Sequence, residues 1–299
     1  MNTTTKNSMI ELMRLLAALW VVYYHNMFFI FNNGISVFND GKISVDFFFI
    51  LSGLFFIKSY NNYKDQSLIN GFWAFSVKRI KAMGVALPLG LLFSTIYFII
   101  FPTNNFGTNF IFGYLWYIPT MFLGFLFYFL VLKIKNKNLK VATIILTVIS
   151  CYILFFVCNE VRIFSPFASI GLGILVSLTP NVKVLENKKA ISIILSVVVI
   201  ALCVYLAYLP KTTYLIDIIL ILVLFPAFLY LCKHYSINVP AFNYLGKLSF
   251  GLYAMQCVIR VFRDCNILTN NIVNFVLIVV LANACLLVDF LIKQKRKVN

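Results

Sequence analysis

The chain has 299 residues, 62% of them hydrophobic and only 11% charged, with a formal net charge of +16. An ordinary soluble domain carries about 25% charge, and a soluble fold of this length has no interior large enough to hide so much apolar surface. The apolar residues fall in long blocks, each able to cross about 30 Å of hydrocarbon as a helix of about 20 residues, which predicts a polytopic α-helical membrane protein and argues against a β-barrel.

Taken in chain order, the blocks predict about ten transmembrane helices, at 9–31, 44–60, 84–101, 112–132, 140–157, 163–179, 190–209, 214–232, 247–263 and 271–292. They make a single membrane-embedded domain over 1–299, with short loops, no internal repeat and no fused extra-membrane domain. The first block carries Glu11 and Arg14 near its start and lacks a small-residue cleavage site, so it reads as a retained span and not a signal peptide. The aromatic, basic segment from Ile69 to Met83 reads as an interfacial helix. The seven cysteines (151, 158, 203, 232, 257, 265 and 285) lie mostly inside apolar blocks without a CxxC spacing. They read as small embedded side chains; no metal site and no bound cofactor is expected.

Charge sets the expected orientation. With a cytoplasmic N-terminus, nineteen of the 25 Lys and Arg residues fall on the inner side, five (Lys42, Arg162, Lys211, Arg260 and Arg263) on the outer side, and Arg14 within the first span. Both termini are thus expected in the cytoplasm. The same basic excess attracts anionic lipid headgroups, and it would draw a cytoplasmic polyanion such as a nucleotide or coenzyme A to that face. No motif organises it for nucleic acid, which is not expected as a partner.

Ionisable groups inside spans are costly and need a reason. Arg14 and His25 are eleven residues apart, which returns a helix to within about 20° of its starting direction and separates the two by about 16 Å along the axis. Arg14 thus either lines a passage or snorkels to the inner interface, and His25 is either a titratable base or an interhelical hydrogen-bonding residue. Asp46 stands at the start of the second span, where it either orients His25 or serves the helix dipole. Ser52 and Gly53 read as packing residues that allow close helix approach. The second histidine, His234, falls in a predicted inner loop and is expected at the surface.

The motif Arg14-Leu-Leu-Ala-Ala-Leu-Trp-Val-Val-Tyr-Tyr-His25, followed by Ser44-Val-Asp46-Phe-Phe-Phe-Ile-Leu-Ser52-Gly53, resembles the membrane-integral acyltransferase-3 family of bacterial surface-glycan O-acetyltransferases. Phe72-Trp-Ala-Phe-Ser-Val-Lys78-Arg79-Ile-Lys81, Leu115-Trp116-Tyr117 and Leu248-Ser249-Phe250-Gly251-Leu-Tyr253 are similar to its later motifs. The chain departs from the family pattern at Ala82, where a second arginine is usual, and at Pro88, to which the usual nearby proline is displaced. It also has Met255-Gln256 where a histidine commonly follows the tyrosine, and it lacks a glutamate after the fourth-span tryptophan. The resemblance implies a multi-pass O-acetyltransferase of the bacterial inner membrane. It would move an acetyl or other acyl group from cytoplasmic acyl-CoA, a donor substrate and not a bound cofactor, to a hydroxyl of a glycan or lipid-linked glycan such as O-antigen, capsule or exopolysaccharide. It implies His25 as general base oriented by Asp46, with Arg14, Lys78, Arg79 and Lys81 holding acyl-CoA. Trp116, Tyr117 and Tyr253 would line the acceptor site or passage. Two other readings compete: a glycan or lipid-linked-sugar transporter or flippase, and a glycan polymerase or ligase of the same envelope pathway.

Overall fold

The computed structural model describes residues 7–26, 41–101, 116–158, 163–208 and 214–298, and these residues are helical with no strand. The chain runs through α1 (Ser8–Asn26), α2 (Gly41–Asn61), α3 (Leu68–Met83), α4 (Ala86–Ile100), α5 (Tyr117–Leu132), α6 (Lys137–Val157) and α7 (Phe164–Leu178). It continues through a short α8 (Lys183–Asn187), α9 (Lys189–Tyr208), α10 (Tyr214–Ile219), α11 (Phe225–Cys232), α12 (Pro240–Asp264) and α13 (Asn271–Val298). A π-helical segment, Leu220–Leu224, joins α10 to α11. It ends just ahead of Pro226, which has no N–H to give to the regular ladder.

The described part of each of the ten apolar blocks coincides with helix. Four helical stretches are long and apolar enough to cross a membrane: Ile43–Asn61, Lys137–Phe155, Lys189–Leu206 and Asn271–Lys295. A fifth arises if α3 and the first part of α4, bent by 85° to one another, count as one broken span. The last residues of block 9–31 and the first of block 112–132 lie outside the described residues, as do Lys6, Arg162 and Lys211 of the charge pattern.

Burial sorts these helices into an inner and an outer set. The apolar window of α2 is 67% buried, whereas those of α6, α9 and α13 are 22%, 17% and 17% buried. The outer helices therefore turn rows of large apolar side chains outward, such as Ile145, Ile149 and Ile153 on α6 and Ile194, Val198 and Leu202 on α9. A soluble monomer rarely exposes contiguous apolar surface on this scale; lipid tails cover it without cost. The arrangement is that of a membrane protein. Inside the ring, α2 packs most extensively on α7, and α1 on α12, with α12 also meeting α4 and α13.

The α2–α7 crossing is close because two glycines make it so. A Cβ on Gly53 would overlap the Ile170 carbonyl oxygen, and one on Gly173 would overlap the Ile50 carbonyl oxygen. Each helix thus offers a glycine to the other's backbone, the small-residue contact that lets membrane helices approach. At the opposite edge Gly84 has φ of +66°, which turns the chain from α3 into α4. There the first free N–H, on Val85, donates to Asp289 Oδ1 of α13 at 3.0 Å, satisfying a helix-start donor from a distant part of the chain.

The segment after α11 acts as a fastener. Asn7 Nδ2 donates to the carbonyls of Cys232 and Tyr235, both at 3.0 Å, while its Oδ1 accepts from the Met9 amide. Lys233 Nζ donates to the carbonyls of Val176 and Thr179 at 2.8 Å and Ser177 at 3.3 Å, capping the C-terminus of α7 with a cation. His234 is buried, not at the surface as its loop position suggested, with 5% exposure. Its Nε2 accepts from the Val182 amide at 3.1 Å, so Nδ1 carries the proton and donates to the Tyr230 carbonyl at 2.9 Å. All seven cysteines are free, and four of them (203, 232, 257 and 285) are buried.

Replacing Gly173 by valine drives three heavy atoms into the α2 backbone, which cannot retreat without opening the α2–α7 contact. The expected loss is about 3 kcal/mol or more, read as a lowered melting temperature of the purified protein in detergent. The exposed Ala201→Val on α9 serves as the control that leaves melting unchanged.

Candidate active site

One cavity, of about 240 Å³, brings together residues from five helices. Its charged lining residues are Arg14 of α1 and Arg79 of α3. Val45, Phe48, Leu51, Ser52 and Phe55 of α2 form one wall, and Tyr117 and Met121 of α5 and Ser249 and Tyr253 of α12 complete much of the rest. The α2 residues lie on one face of that helix and span ten residues, about 15 Å of axis. The cavity is thus an elongated passage with mainly apolar and aromatic walls, whose polar members are Ser52, Ser249, the tyrosines and the two guanidinium groups.

Each arginine is held by its own helix and its neighbours. The start of α1 is stitched to the α11–α12 connection, where the Ser8 amide donates to the Ile237 carbonyl at 2.9 Å and the Val239 amide to Ser8 Oγ at 2.7 Å. That fixes the height of Arg14. Its Nη1 donates to Glu11 Oε2 one turn earlier at 2.8 Å, so part of its charge is offset. Glu11 in turn rests against Gly246 of α12, where any side chain would collide with it.

Arg79 depends on aromatic packing. Phe75 of α3 meets Phe56 of α2 and Phe125 of α5 edge-on, at 5.3 and 5.1 Å, and Phe56 stacks on Phe125 at 5.2 Å. These rings clamp α3 against the end of the bundle. The Arg79 guanidinium lies 5.4 Å from the centre of the Phe75 ring and 5.8 Å from that of Phe125, and its Nη2 donates to Ser59 Oγ at 3.4 Å. The charges of Arg79 and Arg14 repel, so an anion between them would be held by both. Lys78 and Lys81 are exposed, as is Trp73 at 70%, and neither lysine lines the cavity. Ala82, where a second arginine was expected, does line it.

Tyr117 and Tyr253 meet edge-to-face across the cavity wall, with ring centres 4.6 Å apart. Trp116, the third aromatic expected there, instead packs against Phe49 at 6.4 Å and is not part of the lining.

Asp46 faces away from the cavity, into the α2–α7 crossing. It is 2% exposed, and its Oδ1 accepts the hydroxyls of Ser165 and of Ser169, the latter at 2.5 Å. Ser169 Oγ also meets the Tyr152 hydroxyl at 2.9 Å, giving a buried chain from α6 through α7 to α2. Ser165 and Ser169 were not foreseen, although two serines one turn apart in an apolar span are the kind of signal that would have marked them. His25 stands in the last turn of α1, partly buried. Its ring lies edge-on to that of Tyr24 at 4.9 Å, and its carbonyl accepts from Arg263 Nη1 of α12 at 2.8 Å. Arg263 also pairs with Asp264 at 2.9 Å, and Asp264 accepts from the Tyr97 hydroxyl at 2.9 Å. This cluster at the histidine end was also missed by the sequence reading. Among the described residues no group of three or more His, Cys, Asp and Glu residues forms a metal site.

Ser169→Ala removes one donor from a buried carboxylate and one partner from the Tyr152 hydroxyl. A loss of about 1–3 kcal/mol is expected, checked by thermal melting of the purified variant, with the exposed Ser150→Ala on α6 as the comparison.

Comparison with curated proteins and with solved structures found no significant match. A family model described as an acyltransferase domain matches residues 7–288, nearly the whole chain, and takes in every residue of the cavity. The chain belongs to the acyltransferase-3 family and is an acyltransferase of the membrane.

Proposed function

We propose that the protein is an O-acyltransferase that takes an acetyl or related acyl group from cytoplasmic acyl-CoA and passes it to a hydroxyl of a cell-envelope glycan such as O-antigen, capsule or exopolysaccharide. The observation that carries this reading is the passage itself, whose two charged wall residues are arginines and whose walls are otherwise mainly apolar and aromatic, with Ser52 and Ser249 among them. A phosphorylated donor with a long, weakly polar arm matches such a lining. In this reading all ten apolar helices span a bacterial inner membrane, both termini are cytoplasmic, and α3 lies along the inner surface with Trp73, Lys78 and Lys81 toward headgroups.

The donor's phosphates meet Arg79, with Lys78 and Lys81 drawing them in from solution, and the acyl arm enters the passage past Arg14. His25 does not itself line the cavity; it stands on the same helix as Arg14, about 16 Å further along the axis. His25 accepts the proton of the acceptor hydroxyl as its oxygen attacks the thioester carbonyl carbon, and the C–S bond breaks. The departing thiolate then takes the proton from the imidazolium, leaving an O-acyl ester and free coenzyme A. Histidine suits the task because its ordinary pKa lies near 7. Asp46, taken up by the two serines of α7, serves this step through the α2–α7 packing that shapes the cavity wall.

Acetyl content of purified envelope glycan, by mass or NMR, is compared between cells making the native protein and cells making His25→Ala. An ester present only with the native protein supports the assignment; equal acetylation by the variant contradicts it. If neither protein acetylates an envelope glycan in a host that makes the acceptor, the passage serves transport of a glycan or lipid-linked sugar instead. Arg14→Ala and Arg79→Ala are each expected to raise the acyl-CoA concentration for half-maximal rate about tenfold or more. Changing the exposed Lys78 and Lys81 together to alanine raises it by a smaller, salt-sensitive factor. Donor saturation unchanged in the arginine variants would place the coenzyme elsewhere.

A further inference from the structure

Gln256 is 3% exposed, yet among the described residues neither its Nε2 nor its Oε1 has a hydrogen-bonding partner. An amide buried this way costs free energy unless something satisfies it. The position of Gln256 indicates what that is. On α12 it is seven residues from Ser249 and three from Tyr253, both cavity-lining, which brings it to within about 20° of the direction of Ser249, about two turns further along and about one turn beyond Tyr253. Gly251 and Met255, by contrast, face α13, against Ala282 and Cys285.

Its level follows from two contacts between α1 and α12. Gly246 lies against Glu11, and Arg263 donates to the carbonyl of His25, so the two helices run parallel. Interpolated between these contacts, Gln256 is level with residues 19–20 of α1, about 8 Å along the axis from Arg14 and from His25 alike. Gln256 is not itself in the cavity lining; its carboxamide stands one turn beyond Tyr253, midway in level between Arg14 and His25.

We infer that Gln256 is a donor-binding residue whose Nε2 donates to the carbonyl oxygen of the acyl thioester. The inference rests on the acyl-CoA reading above and deepens it, because it assigns a residue that distinguishes an acylated donor from its thioether counterpart. The same bond strengthens as negative charge gathers on that oxygen during attack by the acceptor.

The test measures binding of acetyl-CoA and of S-ethyl-CoA, which keeps the size of the acyl group but lacks its carbonyl oxygen, to the purified full-length protein in nanodiscs. The native protein is expected to prefer acetyl-CoA by about three- to tenfold, the value of one hydrogen bond. The near-isosteric Gln256→Met loses that preference and keeps the affinity for S-ethyl-CoA. Its melting temperature is unchanged or higher, since the substitution removes an unsatisfied buried amide. Retention of the preference in Gln256→Met overturns the assignment. So does a marked fall in its melting temperature with both ligands weakened, which would make Gln256 a structural residue; Gln256→Leu is measured alongside to separate shape from chemistry. Binding of neither probe to the native protein removes the acyl-CoA reading itself, and this assignment with it.

Discussion

The close crossing of α2 and α7 is the contact on which the rest of the interior depends. Gly53 and Gly173 let each helix lie against the other's carbonyl oxygens, and that distance brings Ser165 and Ser169 onto the carboxylate of Asp46. With one face of α2 committed to α7, the face carrying Val45, Phe48, Ser52 and Phe55 is left to wall the cavity. A single backbone contact thus satisfies a buried charge and fixes the passage. In lipid, where the hydrophobic effect gives helices no reason to associate, such packing and hydrogen bonding supply the specificity.

The polar residues of the protein are sorted by the same logic. Of the helices that line the cavity, α1 and α12 fail the simple test of length and apolarity for a membrane span, whereas α2 passes it, as do the outer helices α6, α9 and α13. Glu11, Arg14 and His25 on α1 and Gln256, Arg260 and Arg263 on α12 lower the mean hydropathy of their helices. They are tolerated because the two helices pack on each other inside a ring of more apolar ones. Interior position thus goes with polar side chains on α1 and α12, while α2 is both apolar enough to span and the most buried of the span-length helices.

Much of this was legible in the sequence. The helical segments follow from block length, the separate character of Ile69–Met83 from its mixture of aromatic and basic residues, and the packing role of Gly53 from its small size. Arg14, Arg79, Tyr117 and Tyr253 were picked out and meet in one cavity. What escaped depends on pairings that no local pattern encodes. His234 reads as a loop residue, but Tyr230 and Val182, the latter 52 positions away, enclose it. Ser165 and Ser169 read as ordinary small residues until the crossing puts a carboxylate beside them. Trp116 and Tyr117 are adjacent in sequence and so point in different directions on a helix; only Tyr117 reaches the cavity. Gln256 reads as a departure from a motif, and only its burial without a partner marks it as a group awaiting one.

The central claim is that a donor enters from the cytoplasmic face and gives up its acyl group within the passage. Sealed membrane vesicles of defined orientation, loaded with acceptor glycan, test this directly when acetyl-labelled CoA is supplied on one face only. The account predicts label in the glycan when the donor meets the face bearing Arg79 and none when it meets the other. Equal labelling from either face, or labelling only from the face bearing His25, would contradict it.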